Sequence, residues 1–202
     1  YHLMMIMSKA ERTKQFIIEK TAPIFNEKGF VGTSMSDILE ATGLSKGCVY
    51  GNFENKDEIA LYAFDQNYNT IVSYLRKQIE IRPNSVDRLL VYPETYSIFL
   101  ELPFLKAGCP ILNTSTEADD THPLLRGKAT TALKFWKKAL EKLIETGIER
   151  NEIKASTNAN EFSYILMSLI QGAMMQSKVT GNSEALVITM NYLEKMINDL
   201  RA

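Results

Sequence analysis

The sequence of 202 residues predicts an all-α fold, with an N-terminal three-helix helix-turn-helix head and a larger C-terminal helical body. Three observations carry this. Apolar residues recur at three- and four-residue spacings along most of the chain, proline and glycine interrupt that pattern at intervals suited to helix ends, and no segment alternates apolar and polar residues like a half-buried strand. With 45% hydrophobic residues, the chain can bury one sizeable core or two small ones.

The first helix closes at Phe25-Asn26-Glu27-Lys28-Gly29-Phe30, and Pro23 within it removes an amide donor and is expected to bend it. Thr33 to Phe53 reads as two short helices around a glycine turn, a unit that can set its second helix in a DNA major groove. Ser34 and Asp37 fit a capping box, in which the serine oxygen accepts from the amide three residues on and the carboxylate reaches back to the cap amide. Met35, Ile38, Leu39 and Thr42 make one inward stripe, Gly43 can take the left-handed conformation that ends the helix, and Leu44 plugs the turn. Ser45 caps the next helix. Its Val49 and Phe53 face inward, leaving Ser45, Lys46, Gly47, Cys48, Tyr50 and Asn52 nearer solvent. Asn55 and Glu58 repeat the capping logic at the start of a long helix to Arg82, through Leu61, Phe64, Tyr68 and Ile71. Lys56 lies on its first turn, where a phosphate shared with the helix amides would offset the unfavourable dipole.

From Ser8 to Glu58 these residues resemble the DNA-binding domain of the tetracycline-repressor (TetR) family of transcriptional regulators. The matching features are Phe25 to Phe30, Thr33 to Ile38, Gly43-Leu44-Ser45-Lys46-Gly47, Val49-Tyr50, Phe53 and Lys56. Further on, Gly108-Cys109-Pro110 through Asn113 and Glu117 looks like one subgroup of that family. The chain departs from the pattern at Lys20 and Thr21, where paired alanines are usual, at Gly51 and Asn52, where histidine or a second aromatic is common, and at Cys48, where threonine or alanine is common. The resemblance implies a homodimeric, ligand-responsive regulator, a repressor in the first instance, whose heads bind an inverted-repeat operator in double-stranded DNA. On that reading Lys46 contacts a base edge, guanine by preference, while Ser36 and Gly47 line the groove. Thr33, Ser34, Tyr50 and Lys56 hold phosphates, and Ser45 sits at the start of the reading helix.

Net charge gives a DNA binder little help. The chain carries −1 overall, and residues 1–60 hold seven lysines and arginines against eight acids, so binding has to rest on a few well-placed cations and on dimerisation. Cys48 and Cys109 lie far apart and His2 and His122 cluster with neither, so no metal-ligand spacing or disulfide framework exists. There is no Gly-rich phosphate loop, no nucleophile elbow and no regular repeat, and no cofactor is expected. His122, before Pro123, is expected to be an exposed helix cap rather than a catalytic base.

In the body, Pro83 ends the long helix, Pro93 and Pro103 are expected to break the next stretch, and Gly108 to Pro123 reads as loop with one short helix near Leu112 to Glu117. A long helix follows from His122 to Arg150, then two more over 160–178 and 183–200. Phe162, Ile165, Leu166, Leu169, Ile170, Ala173 and Met174 form a stripe wider than one face needs, so the last two helices are expected to pair with a second copy in a four-helix bundle. Aromatic and soft side chains suggest a small-molecule pocket: Tyr68, Tyr92, Tyr96, Phe99, Phe104, Phe135, Trp136, Met167 and Met174. Asn113, Glu117 or Gln171 would be its polar anchors, and ordinary core packing is the alternative for each residue.

The sequence thus divides into a DNA-binding domain, 8–54, and a ligand-binding and dimerisation domain, 55–202, of a regulator that is no enzyme. No run approaches a membrane span, and Leu3 to Met7 is too short for a secretory signal, so a cytoplasmic location is expected. The start at Tyr1 reads as a processed end or an added remnant and is given no function. The rival reading is a helical small-molecule enzyme or carrier with no DNA partner.

Overall fold

The structure, a computed structural model, describes residues 8–202; the apolar stretch Leu3 to Met7 and His2 lie outside them. Among the described residues nine helices follow one another: α1 (Lys9–Gly32), α2 (Met35–Thr42), α3 (Lys46–Tyr50), α4 (Lys56–Glu80), α5 (Ser85–Ser97), α6 (Pro110–Ala118), α7 (Pro123–Glu149), α8 (Ala159–Thr180) and α9 (Glu184–Asn198). Their only extended pairing is one antiparallel bridge between Ile153 and Arg201.

The packing explains why the head is held firmly. α1 packs on α2, α4 and α6, while α4 runs on to meet α5 and α7, and α8 and α9 pack on each other beside α7 and α5. Buried apolar side chains from Ile17 in α1 to Ile197 in α9 form one continuous cluster. At about 25 cal/mol for each Å² of apolar surface removed from water, that cluster is the main stabilising term. The two units read from the sequence therefore share a core instead of meeting at a bare hinge.

One proline expectation needs correcting, that at Pro93, while Pro23 lies inside α1 as expected. α1 continues through Pro23, and its non-helical residue is Gly29, at φ 75° and ψ 178°. α5 likewise continues through Pro93 to Ser97; the helix forfeits the amide bond to the Leu89 carbonyl, and the pyrrolidine ring is buried. Pro103 does fall among turns, between α5 and α6. Among the described residues no helix is long and apolar enough to cross a membrane.

Candidate nucleic-acid interface

The α2–α3 unit forms through its caps. Ser34 Oγ accepts from the Asp37 amide at 3.1 Å and the Asp37 carboxylate accepts from the Ser34 amide at 2.7 Å, closing the box at the start of α2. Lys28 reaches the same carboxylate at 2.6 Å. That ammonium, with the Ser34 hydroxyl and amide, holds the Asp37 carboxyl well below the usual range. Gly43 ends α2 in the left-handed region at φ 66°, its amide donating to the Leu39 carbonyl at 2.9 Å. Ser45 then caps α3, accepting from the Cys48 amide at 3.3 Å.

Burial decides which side of α3 is free. Val49 and Phe53 are buried at 0% and 2% exposure, so α3 is pinned from beneath. Ser34, Ser36, Ser45, Lys46, Gly47 and Tyr50 are all exposed, and Cys48 is half-buried. Lys46 has no ion-pair partner among the described residues and lies 5.8 Å over the Tyr50 ring. A Cβ built on Gly47 would meet nothing within 4 Å. A glycine inside a helix costs about 1 kcal/mol against alanine, and no internal contact here requires one.

Two of the nearby acids are engaged elsewhere, while Glu40 and Glu54 stay exposed. Asp37 pairs with Lys28, and Glu58 pairs with Lys14 at 2.9 Å while its other oxygen accepts from the Glu54 amide. The Lys14 ammonium also lies over Phe53 and Tyr62, which ties α1 to α4 behind α3. Asn55 caps α4 as expected, its Oδ1 accepting from the Glu58 amide at 2.8 Å, but the Glu58 carboxylate serves the amide one residue before the cap and not the cap amide itself.

Two expected contact residues point inward. Thr33 is fully buried and its hydroxyl donates to the Gly29 carbonyl at 2.6 Å, so its side chain is not part of the exposed face. Lys56 is half-buried, donating to the carbonyls of Phe30 at 2.8 Å and Thr33 at 3.0 Å, with its ammonium 4.1 Å over the Phe30 ring. It gathers the loose carbonyls at the end of α1.

The same spot receives the body. The Glu117 carboxylate on α6 accepts from the amides of Phe30 at 2.8 Å and Val31 at 2.9 Å, the donors freed by the break at Gly29. Asn113, one turn earlier, donates to the carbonyls of Asn26 at 3.0 Å and Ala107 at 2.9 Å, and Asn26 donates to the Gly108 carbonyl at 3.0 Å. Asn113 and Glu117 are therefore clamps on α1, not anchors of the large pocket as the sequence suggested. His122 does cap α7, its Nδ1 accepting from the Leu125 amide at 3.2 Å. It is buried, however, because its Nε2 meets Asp57 at 3.0 Å and its ring meets the Phe30 ring edge-on at 4.5 Å.

A cavity of about 640 Å³ lies between α4, α5 and α7, with Cys109, the residue before α6, and Ile111 of α6 at one side. Of the expected lining, Tyr68, Tyr92, Tyr96, Phe135 and Trp136 are there, whereas Phe99, Phe104, Met167, Met174 and Gln171 are not. Phe99, Met167 and Met174 are core. Sequence reasoning missed Arg76, Arg88 and Lys142, which also line the cavity.

The comparisons agree with this geometry. Residues 17–63 match the model of "Bacterial regulatory proteins, tetR family", and residues 85–193 match that of "Tetracyclin repressor-like, C-terminal domain". A TetR-family regulator from Cytophaga hutchinsonii of known structure is 41% identical, with a TM-score of 0.93 over 97% of this chain and 98% of its own. The chain belongs to the TetR family of transcriptional regulators. A second TetR structure, from Chloroflexus aurantiacus, is 31% identical with a TM-score of 0.90, covering 96% of this chain and 98% of its own. The transcriptional repressor DhaR of Mycobacterium sp. strain GP1 is 27% identical over 176 residues, 86% of each chain. This TetR member is accordingly a DNA-binding regulator and not an enzyme, which removes the rival reading of a helical enzyme.

Proposed function

We propose that this TetR protein is a ligand-responsive repressor that binds an inverted-repeat operator as a homodimer and is released by a small molecule held in the body cavity. The observation that carries the reading is the exposed, capped face of α3, where Lys46, Gly47 and Tyr50 stand clear of a buried Val49–Phe53 underside. Lys46 reads a base edge, Ser36 and Gly47 line the groove, and Ser34, Ser45 and Tyr50 meet the backbone. Lys56 acts at the phosphates chiefly by fixing the end of α1. Functionally, residues 8–54 bind DNA and 55–202 bind effector and partner, in the cytoplasm where operator DNA resides.

Dimerisation is supported by the far side of α8 and α9. Phe162, Leu166, Ile170, Ala173 and Met174 point into the chain's own core, whereas Ile165, Met175 and Val179 are exposed, with Leu169 and Gly172 half-buried between them. Ile188 and Tyr192 of α9, 61% and 59% exposed, continue that apolar face. Nothing lies within 4 Å of a Cβ built on Gly172, which leaves room for another helix to approach closely. Two such pairs across a two-fold axis make a four-helix bundle, and the same axis relates two recognition helices.

Release is supported by two elements that span both ends. α4 carries Lys56 on the end of α1 and Tyr68 to Ile79 along the cavity, and α6 carries Ile111 at the cavity and Glu117 on the end of α1. An effector that tilts either one shifts the heads, and for half-sites about 34–36 Å apart a shift of a few ångströms prevents both from docking. Gel shifts on the DNA upstream of the protein's own gene test the reading. A retarded band that survives excess unrelated DNA is expected; equal competition by unrelated DNA would overturn it.

A further inference from the structure

The cavity has a charge pattern that its apolar walls do not explain. Arg76, Arg88 and Lys142 line it, and no aspartate or glutamate does. None of the three has an ion-pair partner among the described residues, although Glu80 and Glu145 lie one turn along from Arg76 and Lys142. Glu94 pairs with Arg82 and Glu141 with Lys137, while Glu152, near enough to feel the Arg88 charge, accepts from the Ser85 amide at 2.7 Å and lies outside the lining. Arg88 is half-buried, and its Nε donates to the Arg82 carbonyl at 3.1 Å, which orients the guanidinium and leaves its terminal nitrogens without a partner.

Deeper in, the walls offer donors. Trp136 is 8% exposed and packs against Tyr92 and Tyr96 of α5, with ring centroids 6.3 and 6.1 Å away, and neither phenol makes a hydrogen bond among the described residues. Burial pushes the phenols of Tyr92 and Tyr96 and the Cys109 thiol upward, so all three stay protonated and neutral. A cationic ligand would meet three positive charges and no acid in the lining, and a hydrocarbon would leave the Tyr92 and Tyr96 phenols unpaired.

We propose that the cavity takes an amphipathic anion, with an apolar or aromatic body carrying a hydrogen-bond acceptor beside the phenols of Tyr92 and Tyr96, and one acidic head group at Arg76, Arg88 and Lys142. This rests on the reading of the cavity as the effector site and specifies the chemistry of its ligand. Arginine presents a planar fork that suits carboxylate, sulfonate or phosphate oxygens, and Lys142 adds a point charge at the mouth.

The test compares two fluorescent probes with one skeleton, 1-anilinonaphthalene-8-sulfonate and the uncharged N-phenyl-1-naphthylamine. Trp136 is the chain's only tryptophan, so energy transfer from it to the probe reports binding in or beside the cavity. The readout is the ratio of the two affinities, because the uncharged probe is the more apolar. In the double variant Arg88→Gln/Lys142→Gln the preference for the sulfonate is expected to fall at least about tenfold, as it should in the wild type between about 50 mM and about 500 mM salt. The salt titration keeps the test valid if the variant folds poorly. An unchanged ratio in both arms, with both probes bound, overturns the anion proposal and leaves the effector-site reading intact. Failure of both probes to accept energy from Trp136 overturns both. A probe that binds as expected yet never releases operator refutes the release reading alone.

Discussion

Gly29→Ala isolates the joint between head and body. The new Cβ would stand 2.4 Å from Glu117 Oε2, 2.6 Å from Oε1 and 2.7 Å from Cδ, so the carboxylate must leave. Its departure breaks two hydrogen bonds to a charged acceptor, to Phe30 at 2.8 Å and Val31 at 2.9 Å, each worth about 1.5–3 kcal/mol where shielded and less at exposed Val31. The backbone adds strain, because φ 75° with ψ 178° is glycine territory that costs other residues about 1–3 kcal/mol. Together the substitution should destabilise by about 3–5 kcal/mol. Glu117→Ala alone removes the hydrogen bonds but not the strain, and should cost about 1–3 kcal/mol. The double variant shares the lost bonds, so its cost should fall short of the sum by at least about 1 kcal/mol. Urea unfolding at one fixed chain concentration measures all three. Additive costs, or Gly29→Ala within about 0.5 kcal/mol of wild type, would refute the joint as described.

The remaining substitutions probe the other parts. Gly47→Ala should raise thermal stability, by up to about 1 kcal/mol, while weakening operator binding, since the space beyond Gly47 is empty in the free protein and would be taken by DNA in the proposed complex; a variant that binds operator as wild type does would show that Gly47 lies away from the groove. Leu169→Glu sets a charge in the apolar face of α8 and should convert a dimer into monomers at micromolar concentration by sedimentation, with the fold intact by circular dichroism. Asp37 has a folded value below its ordinary 3.8, so it stabilises fully above that pH and loses the contribution as pH falls through the lowered value. The gap in melting temperature between wild type and Lys28→Ala should therefore be present at neutral pH and narrow in strong acid; equal melting temperatures at neutral pH would contradict the Lys28–Asp37 pairing.

Local chemistry was legible in the sequence where the partners lie within a turn of each other. The Ser34–Asp37 box, the left-handed Gly43, the Ser45 cap and the buried Val49–Phe53 pair are settled by spacing alone. The width of the α8 stripe was also legible, and the structure divides it into a core face and an outer face. What escaped depends on distant partners. Glu117 meets Phe30 across 87 residues of sequence and His122 meets Asp57 across 65, so neither role has a local signature. Thr33 reads as a surface hydroxyl because its burial comes from the packing around the end of α1, while its bond to the Gly29 carbonyl four residues back is one any helical threonine can make. Pro93 reads as a helix end because sequence rules weigh its lost hydrogen bond and not the burial of its ring. The cavity cations were overlooked because Arg76, Arg88 and Lys142 sit on three separate helices, each of which taken alone shows only a solvated charge.

The central claim, that α3 reads DNA through Lys46, is tested most directly by selecting bound sequences from a random duplex pool with wild type and with Lys46→Ala. Wild type should return a two-fold inverted repeat, and Lys46→Ala the same repeat with one position per half-site relaxed, a loss of about 1–3 kcal/mol of discrimination there. An identical motif from both proteins, or no motif from wild type, would contradict the account.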